Sequence, residues 1–119
     1  MRSEAMNDLV GSALDELKGL EIRSLDVREL TDVTDFMVIA SGRSDRQVKA
    51  LAQNVIEKAK ASGIQPLGVE GMDRGEWVLV DLCDVVVHVM QKETRETYQL
   101  EKLWSGGEHN RTPGPVAAA

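Results

Sequence analysis

Residues 77–90, W-V-L-V-D-L-C-D-V-V-V-H-V-M, constrain the fold more than any other stretch of the chain. Two apolar runs, Trp77 to Leu82 and Val85 to Met90, are rich in valine and too short for globular helices, so both read as strands. Only Cys83 and Asp84 lie between them, which predicts a two-residue β-hairpin. Side chains alternate across a strand, so Val78, Val80 and Leu82 share one face with Val85, Val87 and Val89. That face is wholly apolar and must be core. The opposite face carries Trp77, Leu79 and Asp81 on the first strand, and Val86, His88 and Met90 on the second. It is greasy yet interrupted by a carboxylate and an imidazole. Spacing alone leaves two arrangements open for it. In one, a helix covers this face, and Trp77, Tyr98 and Trp104 are all core. In the other it is a binding surface, to which tyrosine and tryptophan are suited by a large apolar body with a polar tip.

The chain's 119 residues suit a single domain that buries most of its apolar surface without metals or disulfides. One cysteine, Cys83, leaves no intramolecular disulfide and fits a reducing compartment. With only His88 and His109 beside it there is no zinc-ligand cluster, and neither metal nor cofactor is expected. The opening M-R-S-E-A-M-N-D-L-V lacks the continuous apolar stretch of a secretory signal, and no run approaches the length of a membrane span, so a soluble cytoplasmic protein is expected. A net charge of −6 without a Lys/Arg cluster disfavours nucleic-acid binding as the main activity, because phosphate neutralisation supplies most of that affinity. An acidic chain suits a basic partner protein; equally, the charge serves solubility alone.

Met6, Leu9, Val10, Ala13, Leu14 and Leu17 have helical spacing, which predicts a helix over about 4–18 with Ser3 as N-cap and Gly19 as stop. Ile22 to Val27 reads as a short strand and the continuously apolar F-M-V-I-A, Phe36 to Ala40, as a buried one. Ser44 and Gln47 form a capping box for a second helix, whose apolar face is Val48, Leu51, Ala52, Val55, Ile56 and Ala59 and which stops at Gly63. Leu67 to Val69 predicts another strand, and Glu70 to Gly75 a polar loop leading into the hairpin. Thr94 is placed to cap a third helix, with Leu100, Leu103 and Trp104 on one side. From Ser105 onward there is no periodicity, which reads as a disordered tail, residues 105–119, after a single domain over 1–104. The order α-β-β-α-β-β-β-α gives an α/β or α+β fold with a mixed sheet of about five strands.

These residues resemble a known family, the ribosomal silencing factors, or Iojap-like proteins. The resemblance runs from about Leu9 to Trp104 and rests on five blocks in order: D-V-T-D-F-M-V-I-A-S-G-R-S-D-R-Q-V (32–48), P-L-G-V-E-G (66–71), W-V-L-V-D (77–81), D-V-V-V-H-V-M (84–90) and Y-Q-L-E-K-L-W (98–104). It implies a fold similar to nucleotidyltransferase domains without their catalysis, and a role in translation control. The resemblance further implies docking on ribosomal protein L-fourteen of the large ribosomal subunit, which blocks joining of the small subunit when nutrients are scarce. It places Trp77, the outward strand residues beside it and Tyr98 in the docking surface, and leaves Trp104 in the core or at its edge. One departure stands out, since Cys83 occupies a turn where family members commonly have glycine.

Three function classes follow. A non-enzymatic assembly blocker would use an interface core of Trp77, Leu79, Val86 and Met90, with His88 and Tyr98 on the same surface, rimmed by Glu70, Asp73 and Asp81 against a basic ribosomal protein. A nucleotidyltransferase-like enzyme is the alternative that Gly42-Arg43-Ser44 suggests. Its metal clamp needs two carboxylates at i and i+2, whereas Asp81 and Asp84 stand at i and i+3 and face opposite ways on a strand. No catalytic residue is therefore assigned. The third class is a homodimeric scaffold in which the greasy face pairs with itself.

Overall fold

The computed structural model describes residues 1–104; the segment 105–119, with the expected disordered tail and His109, lies outside the described residues. Five strands, β1 (Leu20–Asp26), β2 (Phe36–Gly42), β3 (Gly68–Glu70), β4 (Trp77–Asp81) and β5 (Val85–Gln91), form one sheet in the order β1-β2-β5-β4-β3. The β2–β5 pair is parallel and the other three pairs are antiparallel. This is the mixed five-stranded sheet that the element order predicts, in an α+β arrangement.

Helix α1 (Ser3–Glu16) and helix α2 (Asp45–Ala61) lie together on one face. All six apolar positions expected of α2 are buried, and they meet Val78, Val80, Leu82, Val85, Val87 and Val89 from the hairpin. Each such valine, leucine or isoleucine side chain, fully removed from water, contributes roughly 1.5–3 kcal/mol before chain entropy is counted. Strand β2 lies between β1 and β5 and is buried along all seven residues, which is why F-M-V-I-A shows no polar alternation.

Helix ends differ from expectation where backbone geometry outweighs side-chain type. Arg2, not Ser3, is the N-cap of α1, and no side chain caps it. At its other end Lys18 takes the left-handed conformation, φ 63°, and Gly19 N donates to Leu14 O at 2.8 Å while Lys18 N donates to Asp15 O at 2.9 Å. These two bonds close the helix after Glu16, so Leu17 is exposed rather than part of the apolar face. In α2 the Ser44 hydroxyl accepts from Gln47 N at 3.1 Å as predicted, but the Gln47 carbonyl reaches Arg43 N, at 2.6 Å, instead of Ser44 N.

The third helix is the largest correction. Gln91 precedes α3 (Lys92–Tyr98), Thr94 lies within it, and Gln99 at φ 50° breaks the helix before a separate short helix, α4 (Leu100–Trp104). A cap residue in the sequence lost to the chain's need to turn: α4 has to cross back over the sheet to seat Leu100 and Trp104.

Candidate functional site

Paired residues on neighbouring strands point to the same face, so the register defines the second face row by row. One row runs Glu70, Leu79, His88, Ile39, Arg23, and the next runs Gly68, Asp81, Val86, Met37, Leu25. Trp77 lies beside Met90, and Met90 beside Ser41. The covered and open arrangements both occur, on different halves of this face. Toward β1, Leu25, Val27, Met37, Ile39 and Met90 make a second core closed over by Leu100 and Trp104. Toward β3, Leu79, Asp81 and Val86 are half-buried, and no helix among the described residues packs over them.

Trp77 stands at the boundary. Its indole Nε1 donates to His88 Nδ1 at 2.9 Å, and its ring lies 4.9 Å from that of Tyr98, tilted by 51°. Tyr98, on the last turn of α3, is 57% exposed. Since His88 accepts at Nδ1, its proton is on Nε2. Desolvation by burial pushes the His88 pKa down to about 4, so the imidazole is neutral and holds the indole in place by one partly buried bond.

Of the residues expected at a docking surface, the structure brings Trp77, Leu79, Asp81, Val86, His88 and Tyr98 together, while Glu70 is exposed beside Leu79 and Asp73 is exposed in the loop before β4. Met90 is a correction. It is fully buried, because the neighbouring β2 strand and the α4 cover enclose it, and it belongs to the second core rather than to any contact surface. His88, 7% exposed, acts from beneath Trp77 rather than by presenting itself. Asp81 has a structural role as well: its Oδ1 accepts from Cys83 N at 2.8 Å across the hairpin turn. The Asp84 carbonyl accepts from Asp35 N and Phe36 N, both at 3.0 Å, and so anchors the start of β2. These bonds give both carboxylate residues turn and strand-end duties. Among the described residues no three His, Cys, Asp or Glu side chains converge as a metal site.

Gly71 matters to the site through its backbone. Its φ of 89° and its approach to the Trp77 carbonyl oxygen leave no room for a Cβ, which fixes where β4 begins. One cluster escaped the sequence reading. Arg95 on α3 is 5% exposed; its Nε donates to Glu101 at 2.8 Å and its Nη1 to the Ser41 hydroxyl at 2.9 Å, so it ties α3, α4 and β2 together. In the polar run K-E-T-R-E-T-Y nothing marks one charged residue as buried, and Ser41 lies 54 positions away.

The model for the family described as ribosomal silencing factor during starvation matches residues 1–118. A ribosomal silencing factor of Haemophilus influenzae is 45% identical over 101 residues, covering 85% of this chain and 99% of that one. A crystal structure of a Chromobacterium violaceum protein superposes with a TM-score of 0.87 at 45% identity, covering 91% of this chain and 90% of that one. A more distant mouse relative, named mitochondrial assembly of ribosomal large subunit protein 1, is 35% identical over 101 residues, 82% of this chain and 44% of its own. A family match over nearly the whole length, carried on the same sheet and helices, makes this chain a member of the ribosomal silencing factor family.

Proposed function

We propose that this protein acts in the cytoplasm by docking on the large ribosomal subunit at ribosomal protein L-fourteen, where it blocks joining of the small subunit and represses translation under nutrient limitation. The observation that carries this reading is the open half of the second sheet face, where Tyr98, 57% exposed, packs at a tilt against Trp77. An aromatic pair of this kind, already ordered before binding, loses little side-chain entropy on docking and is the sort of group that dominates interface energetics. Leu79 and Val86 continue the apolar surface, and Glu70, Asp73 and Asp81 surround it with negative charge suited to a basic ribosomal protein. The mouse relative's name supports the large subunit as the partner.

Sedimentation with purified large subunits, small subunits and bare ribosomal RNA tests the reading. The protein should travel with large subunits alone, and Tyr98→Ala should weaken that binding by about 2 kcal/mol, roughly thirtyfold, while lowering stability far less than a core truncation does. Equal binding to both subunits, or to the RNA, would overturn it. A homodimer formed through the same face is the competing reading, and it predicts that Tyr98→Ala changes the sedimentation coefficient of the free protein.

A further inference from the structure

The cleft that Arg95 lines is separate from the Trp77–Tyr98 surface and differs from it in chemistry. Its walls are Glu21 and Arg23 on β1, Ser41 on β2, Lys92, Arg95 and Glu96 on α3, Gln99 at the break, and Glu101 and Lys102 on α4, around a volume of about 350 Å³. The Arg95 guanidinium in its floor is short of acceptors. Nε is taken by Glu101, Nη1 by the Ser41 hydroxyl and, at 3.4 Å, by Leu20 O, while Nη2 is buried with no hydrogen-bond partner among the described residues. Ser41 Oγ accepts from Arg95, which leaves Nη2 as the donor without a partner. A buried group with unused donors is rare, because the hydration it gave up is not replaced.

Charge points the same way. Arg23, Lys92, Arg95 and Lys102 face Glu21, Glu96 and Glu101, an excess of one positive charge in a chain whose net charge is −6. From these two observations, a buried donor group without a partner and a single uncompensated cation, we propose that the cleft binds a small monoanionic carboxylate, one oxygen of which accepts from Arg95 Nη2. Because Nη2 is buried, entry displaces the α4 wall at Glu101 and Lys102. That wall belongs to a five-residue helix with no fully buried side chain, joined to α3 through the left-handed Gln99, so it is the movable side of the cleft. Binding would therefore be felt along α4 and at its packing partner Trp104.

Sodium acetate titrated into the ¹⁵N-labelled full chain at constant ionic strength, with sodium chloride and sodium phosphate in parallel, tests the proposal. Saturable shifts at the Arg95 Nε–H, at Ser41 and along α4 are expected with acetate and not with chloride. The charge reversal Lys102→Glu, at an exposed position outside the Arg95 bonds, should weaken acetate binding at least tenfold while the spectrum stays folded. Shifts that never saturate, shifts matched by chloride, or undiminished binding by Lys102→Glu would overturn the proposal. Saturation by phosphate in preference to acetate would overturn the assignment to a carboxylate.

Discussion

The two faces of one sheet are built on opposite terms. Under α1 and α2, every hairpin side chain is aliphatic and 0–2% exposed, with no polar atom to satisfy. On the other face, the same two strands supply an imidazole bonded to an indole, a half-buried carboxylate and a single fully buried methionine. The first face is a place where stability is concentrated. The second trades part of that stability for a surface that stays ordered while half open, and it does so by bonding Trp77 to a neutral His88 rather than by burying it. The lesson is that order and burial need not coincide: one directional bond, one aromatic contact and packing against the edge of the second core hold a large side chain that stays only partly buried.

If the faces divide labour in this way, substitutions should separate by face. Leu51→Ala, beneath α2 where Leu51 is fully buried, should cost about 2–5 kcal/mol of unfolding free energy by chemical denaturation, through lost burial and a residual cavity. Large-subunit binding by the fraction still folded should be unchanged. Trp77→Ala should do the reverse in the main, weakening large-subunit binding by about 2–4 kcal/mol. Its stability cost should be smaller than that of Leu51→Ala, since Trp77 is only partly buried against the second core. Equal stability losses for the two variants would erase the distinction between the faces.

The amount legible in the sequence also divides by face. Period-two alternation in V-L-V-D-L and V-V-V-H-V, and the helical spacing of Val48, Leu51, Val55 and Ile56, identify the apolar core because burial under helices leaves a strict pattern. The second face gives a mixed pattern, and its meaning depends on where a short helix lands. That was set by Gln99 adopting φ 50° and by Arg95 reaching Ser41 across 54 residues. Neither a left-handed glutamine nor a buried arginine leaves a local signature, so in the sequence Met90 resembles surface, Thr94 resembles a cap and Arg95 carries no mark. Trp104 packs at the edge of the second core with Leu100, as its place on the last helix suggests, whereas Leu103, expected on the same side, is 50% exposed.

His88 gives a comparison by pH. Burial depresses its pKa from 6.5 in a free chain to about 4 in the fold, so the unfolded chain binds the proton more readily. Its contribution to stability is complete above pH 6.5 and is lost as pH falls toward 4, by roughly 2–3 kcal/mol at the lower end. The groups paired beside it, Leu79 and Ile39, carry no charge that would offset this. Denaturant midpoints measured between pH 7 and pH 4 should fall more steeply for the parent than for His88→Gln. Parallel curves would mean that the imidazole titrates as if exposed, and that the Trp77 bond is weaker than its 2.9 Å length implies.

The smallest expected effect lies at the turn that joins the two strands and belongs to neither face. Asp84 N donates to Leu82 O at 3.0 Å around Cys83, whose φ is 74°, and Leu82 N donates to Val85 O at 2.9 Å, so the two-residue hairpin register forms with cysteine in a conformation that glycine adopts freely. Left-handed geometry costs a residue with a Cβ about 1–2 kcal/mol. Glycine removes that strain but gives the unfolded chain more freedom, about 0.4–1 kcal/mol in the opposite direction. Cys83→Gly should therefore raise stability by about 0.5–1 kcal/mol, since the backbone bond from residue 83 to Asp81 Oδ1 survives the change. Cys83→Val should lower it by more than that, because a β-branched side chain tolerates positive φ least. Cys83 is exposed and outside both apolar faces, so large-subunit binding should not move in either variant. A Cys83→Gly protein no more stable than its parent would show that the turn relaxes away from φ 74° in solution, and a change in binding would show that the partner's contact extends to the hairpin tip.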